Sequence, residues 1–82
     1  MNEERIPLNA LPAGEVGVVR QLAGGRGFRS RLATLGFTPG VEVNMVQNFG
    51  RGPLIVLVRD TRVALGRGEA AKVLVETTTN DQ

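Results

Sequence analysis

Three arginines stand within six residues at Arg26, Arg29 and Arg31, in the stretch RGFRSR (26–31), and nine of the ten basic residues of the chain are arginine. A guanidinium is a planar fork of donors that suits carboxylates, phosphates and base edges, so the chemistry on offer is recognition of an anionic surface. The same three side chains also read as the wet side of a helix, where an exposed ion pair contributes only ~0–1 kcal/mol. Bond-making chemistry has far less to work with. There is no histidine and no cysteine, so the usual general base and the thiolate nucleophile are both missing. Ser30 is the only serine and has no histidine to activate it. The eight carboxylates are scattered, with no paired spacing that reads as an acid/base dyad. The chain is therefore read as a binding protein and not as an enzyme.

Phosphate and metal chemistry are similarly thin. GGRG (24–27) lacks the GKS/T ending of a phosphate-binding loop and the GxGxxG of a dinucleotide fold, and reads as a connector. Without His or Cys, a metal site would have to be all oxygen. Asp60 and Glu69 are the only carboxylates near turns in the second half, and they read better as a turn residue and a helix-start residue. No catalytic residue, metal ligand or cofactor is assigned.

These side chains need a frame, and the frame is small. Eighty-two residues make one domain with a thin core, built from Val and Leu because only Phe28, Phe37 and Phe49 are aromatic. The polar N-terminal stretch carries no apolar signal region, and no run approaches the ~18–20 apolar residues that cross a bilayer. A soluble, cytoplasmic protein without direct membrane insertion is expected. Formal charge is +2, with acidic residues interspersed among the basic ones.

Residues 1–6 and 77–82 read as flexible termini around a domain spanning 7–76. Leu8 and Leu11 are spaced for one helical turn before Pro12 and Gly14 interrupt it. Strand patterns follow at 16–22, 41–47, 53–59, 62–66 and 72–76, the first carrying a Gly17 that suggests a bulge or a close backbone approach. Between the first two lies a helix with Phe28, Leu32 and Leu35 at i, i+4 and i+7. Gly36 is placed to stop it, and Thr38-Pro39-Gly40 suits a type II turn. Asp60-Thr61 is read as a hairpin turn, and 68–72 as one more helical turn. The fold class is mainly β: five short strands point to a small barrel or sandwich, and a small five-stranded barrel also removes the open edges, with one short helix inserted after the first strand whose apolar stripe plugs one end.

The core candidates are Leu32, Leu35, Val41, Val43, Ile55, Leu57, Val63, Leu65, Val73 and Val75. Because 54–58 is apolar on both faces, Leu54, Val56 and Val58 are left needing cover, as is Leu74, from the helix, a terminus or a second copy in a weak homo-oligomer. Phe37 sits off the helical stripe, between cap and turn. It either folds back to cap the barrel or stands out as part of a binding surface made by Leu35, Gly36, Phe37, Thr38 and Pro39. Arg26, Arg29 and Arg31 are the second candidate set, as contacts to an acidic partner.

PLNALPAGEVGVV (7–19), RLATLGFTPG (31–40), VEVNMV (41–46), GPLIVLVRDTRVAL (52–65) and EAAKVLV (69–75) together resemble the FeoA family, small cytoplasmic proteins with an SH3-like β-barrel that assist bacterial ferrous-iron uptake. Two departures stand out: Asp60-Thr61 where the family commonly has Gly, and the wealth of arginine. The resemblance implies a partner, the FeoB permease with its cytoplasmic GTPase domain, and it attaches a transition-metal ion to the work of the family as a whole. Two other readings belong to different classes. Small β-barrels bind single-stranded nucleic acid, but through several aromatic platforms, whereas here Phe49 beside Arg51 stands alone; nucleic acid is not the expected partner. The same barrel also serves as a regulatory domain in metal-dependent repressors, although no DNA-binding helices are present here.

Overall fold

The computed structural model of the chain describes residues 2–79. Six antiparallel strands form one sheet in the order β1-β6-β2-β3-β4-β5. They are β1 (Asn2–Pro7), β2 (Val16–Leu22), β3 (Glu42–Gln47), β4 (Leu54–Val58), β5 (Thr61–Leu65) and β6 (Val73–Thr79). A 3₁₀ turn over Leu8–Ala10 follows β1, helix α1 (Arg26–Thr34) links β2 to β3, and a single turn α2 (Arg67–Ala70) links β5 to β6. One face of the sheet closes on a single core, and β1 and β5 are left at the two ends of the strand order.

The strands alternate as their residue types require. Val43 and Met45 point inward while Glu42 and Asn44 point out. The register then carries that choice across the sheet: Val43 pairs with Val58, Met45 with Val56, and Val56 in turn with Val63. Leu54, Val56 and Val58 are consequently core, and Ile55 and Leu57 lie half-buried on the outer face. This reverses the expected faces of β4. Alternation has no voice in a strand that is apolar throughout, and the neighbours decide. Val41 is only partly buried and Leu35 is exposed, so neither is core, whereas Leu32, Val43, Val63, Leu65, Val73 and Val75 are.

The expected five strands become six. Residues 2–7, read as a loose end, pair with β6 from Asn2 opposite Thr79 to Pro7 opposite Leu74. On the other side, 77–79 belong to β6, and 80–82 lie outside the described residues. The segment had no apolar alternation to announce it, because it lies at the end of the strand order and, among its described side chains, Ile6 alone packs against the core.

Gly17 is a close approach. A Cβ built there would lie 3.0 Å from both Cβ and Cγ2 of Val75, on the strand alongside. The β4–β5 turn is Arg59-Asp60, one residue earlier than expected: Val58 pairs with Thr61, and both turn residues have positive φ, +49° and +63°. Two left-handed residues in a two-residue loop are the signature of a type I′ hairpin, here without glycine.

At the opposite end, Asn48 ties three segments together. Its Nδ2 donates to the Asn9 and Leu11 carbonyls, and its Oδ1 accepts from Arg67 Nη2 at 3.1 Å. Arg67 also donates to the carbonyls of Asn9 and Gly52.

Candidate functional site at the helix–strand corner

Helix α1 ends on a motif that explains residues 32 to 41 as a unit. Gly36 takes φ +106°, its N–H donates to the Ala33 carbonyl at 3.0 Å, and the Phe37 N–H reaches back to Leu32 at 2.9 Å. These are the two bonds of a Schellman cap. The turn follows at once, with Val41 N–H donating to the Thr38 carbonyl at 3.0 Å and Gly40 at φ +95°. The corner is then bolted to β2: Gly40 N–H donates to Val19 O at 2.7 Å, and Val19 N–H to Val41 O at 2.8 Å.

The reversal at Gly36 brings Phe37 back beneath the helix, where it is wholly buried beside Leu32 in the core. Of the two readings left open for Phe37, the one in which it folds back into the core is therefore the one that holds, and its side chain does not project from the corner. Phe37 takes the inward place that the i, i+4, i+7 stripe assigned to Leu35, and Leu35, as the capping residue, is 37% exposed. Phe28 is half-buried, packed over Gly24 with the Lys72 ammonium 5.4 Å from its ring centre.

The hairpin tip of β4–β5 supports the corner from outside. Arg59 donates through Nη2 to Thr38 Oγ1 at 3.1 Å and through Nε to the Gly36 carbonyl at 3.4 Å.

The three helical arginines are separated by the fold. Arg31 forms an ion pair with Glu69 of α2. Arg26 sits at the first position of the helix, exposed. Arg29 faces a cleft of about 360 Å³ between α1, β2 and the corner. The helix and corner supply Arg29, Ala33, Phe37, Thr38 and Pro39 to its walls, and β2 supplies Arg20, Gln21 and Leu22. Only an edge of Phe37 can border it, since the side chain is otherwise enclosed.

Of the residues singled out in the sequence, Arg29, Phe37, Thr38 and Pro39 thus meet at one site. Leu35 and Gly36 adjoin it without lining it, and Arg26 and Arg31 lie off it. Arg20, Gln21, Leu22 and Ala33 were not anticipated. Arg20 is an extra residue in the ladder with β6, where Val19 pairs with Val75 and Gln21 with Leu74. Such a bulge re-aims a side chain and bends its strand. The sequence suggested a bulge in this strand only at Gly17, and nothing at Arg20 itself signalled one. Arg20 is ion-paired with Glu76 across the ladder.

Other surfaces are less organised. A smaller depression of about 260 Å³ lies over Val41, Asn44 and Leu57. Phe49 is 77% exposed in the β3–β4 loop, whereas Phe37 is wholly buried and Phe28 is half-buried against the core. Among the described residues no three His, Cys, Asp or Glu side chains converge as a metal site would need, and no helix is long and apolar enough to cross a membrane.

Comparison with known proteins gives a consistent picture. The family model of the FeoA domain matches residues 6–77. A protein of Methanocaldococcus jannaschii named as Fe(2+) transport protein A is 33% identical over 70 residues, which cover 85% of this chain and 84% of that protein. A crystal structure of an iron uptake regulatory protein, FeoA, superposes with a TM-score of 0.83 at 33% identity, over 88% of this chain and 96% of the other. FeoA of Stenotrophomonas maltophilia, solved with zinc and described as an SH3 domain protein, is 40% identical with a TM-score of 0.70, over 83% of this chain and 86% of its own.

Proposed function

We propose, from the premise that this chain belongs to the FeoA family, that it is an accessory protein of ferrous-iron uptake that docks on the cytoplasmic part of an FeoB-type permease. It acts by binding and not by catalysis, and it works in the cytoplasm. The corner between α1 and β3 is the docking surface. The observation that carries this is the cleft beside it: a concave site of about 360 Å³, within the range of ligand pockets, lined by the corner itself.

The frame suits such a role. The corner is held by its own cap, by two bonds to Val19 and by Arg59, so a partner meets a surface already in shape and little ordering cost is left for binding. Leu35 at the rim adds exposed apolar area next to the cleft. Ile55 and Leu57, and not Leu54, Val56 or Val58, are the residues through which two copies would associate weakly.

Co-purification of the tagged chain with the FeoB-type permease of the same organism, with Leu35→Asp alongside wild type, tests the reading. Retention by wild type and loss in the folded variant is the expected result. No retention by wild type at low salt, with and without guanine nucleotide, overturns it.

A further inference from the structure

We infer that the cleft takes an extended, acidic segment of the partner, laid as an added strand along the open edge of β2 at residues 20–22; this rests on the docking function proposed above.

The edge is open for a definite reason. β2 pairs with β3 only from Val16 to Val18, and the corner continues that side through its two bonds to Val19. Among the described residues no such bond from the corner continues to residues 20–22, and Arg20 is an extra residue in the ladder with β6, a bulge of the kind that bends its strand. Gln21 and Leu22 still pair with Leu74 and Val73 of β6 on one side. On the other side no strand of the described residues accompanies them, and the cleft occupies that space. Unpaired strand edges are templates for a further strand, and main-chain bonding to such an edge is an established way to hold a peptide.

The lining selects what kind of strand. Leu22, Ala33 and Pro39 give apolar contact for alternate side chains. The two ionic groups on the cleft are both guanidinium, Arg20 and Arg29, and no carboxylate lines it. Among the described residues Arg29 has no ion pair, while Arg20 keeps one through Nε to Glu76. A segment alternating carboxylate and apolar side chains complements this surface. A second copy of the chain does not, because this edge presents guanidinium groups and no carboxylate, so apposing two copies brings like charges together. The charge that protects the edge from self-association is the charge that recruits an acidic partner.

The test uses the full chain, ¹⁵N-labelled, titrated with the capped peptide Ser-Glu-Val-Asp-Val-Glu-Val-Ser. Amide shifts at Arg20, Gln21, Leu22 and Thr38 are expected, with affinity falling about threefold or more between 50 and 200 mM salt, on the order expected for exposed charge pairs. Arg29→Glu should weaken binding by about tenfold or more, while Arg26→Glu, the same charge change one turn away, should alter it by less than about threefold. Replacing the central Val by Pro, which keeps the charge and removes a strand donor, should abolish the shifts. Equal binding of a peptide with Lys in place of Glu and Asp, or shifts confined to other strands, overturns the inference.

The same variants in the permease co-purification separate the two claims. If wild type and Arg29→Glu retain the permease equally, docking stands and this cleft is not its site. If wild type retains none, docking falls, and the peptide titration alone decides whether the edge accepts an acidic strand.

Discussion

The Phe37 N–H donates to the Leu32 carbonyl at 2.9 Å, and the two side chains are both wholly buried in one core. Helix stop and core packing are therefore a single arrangement. Phe37→Ala should cost about 3–5 kcal/mol, the range for emptying a buried aromatic site. Leu35→Ala, two residues away and exposed, should cost about 0.5 kcal/mol or less. Urea unfolding of both variants measures the contrast, and similar losses would mean that Phe37 is not a core residue.

Gly36 and Gly40 both have positive φ, but only Gly36 is crowded. A Cβ at Gly36 would lie 3.3 Å from Arg59 Cδ, whereas nothing lies within 4 Å at Gly40. Each change to alanine should cost about 1–2 kcal/mol for the left-handed backbone. Gly36→Ala should cost more than Gly40→Ala, by an amount that shrinks in an Arg59→Ala background. Thermal melts of the four variants test the order.

At Gly17 the obstacle is Val75 and not the backbone angle. Gly17→Ala is expected to destabilise by about 1–3 kcal/mol through overpacking. Combined with Val75→Ala, the added methyl has room, so the double variant should be more stable than the sum of the single effects predicts. A double-mutant cycle reads this coupling directly. Strict additivity would show that the two residues do not meet.

Arg31 and Glu69 form their ion pair with side chains 56% and 32% exposed. Solvent screening keeps such a pair to ~0–1 kcal/mol. Arg31→Ala should accordingly leave stability nearly unchanged, and permease retention unchanged as well, because Arg31 lies off the cleft. Loss of retention in that variant would move the docking surface toward α2.

The glycine stop, the Thr38-Pro39-Gly40 turn, the 3₁₀ turn at Leu8 and five of the strands were legible in the sequence because each is specified by residues close together. What was not legible depends on partners. The inward face of β4 follows from Val43 pairing with Val58, and β1 exists because β6, paired with β2 along one edge, offers it the other. Phe37 stayed open between core and surface because helical periodicity ends at Gly36, and nothing local says whether the chain then doubles back. The arginines were visible as a group, but which of them faces a cleft depends on a bulge at Arg20 and on an acidic residue, Glu69, some forty positions from the helix.

Asn2 and Thr79 stand opposite one another as paired residues, which places their Cα atoms roughly 4.5–5.5 Å apart. The domain is thus a loop in the topological sense, entered and left at the same point. It can be spliced into a surface turn of a host protein, or its two ends joined by a short bridge and new ones opened elsewhere, with the cleft left facing outward.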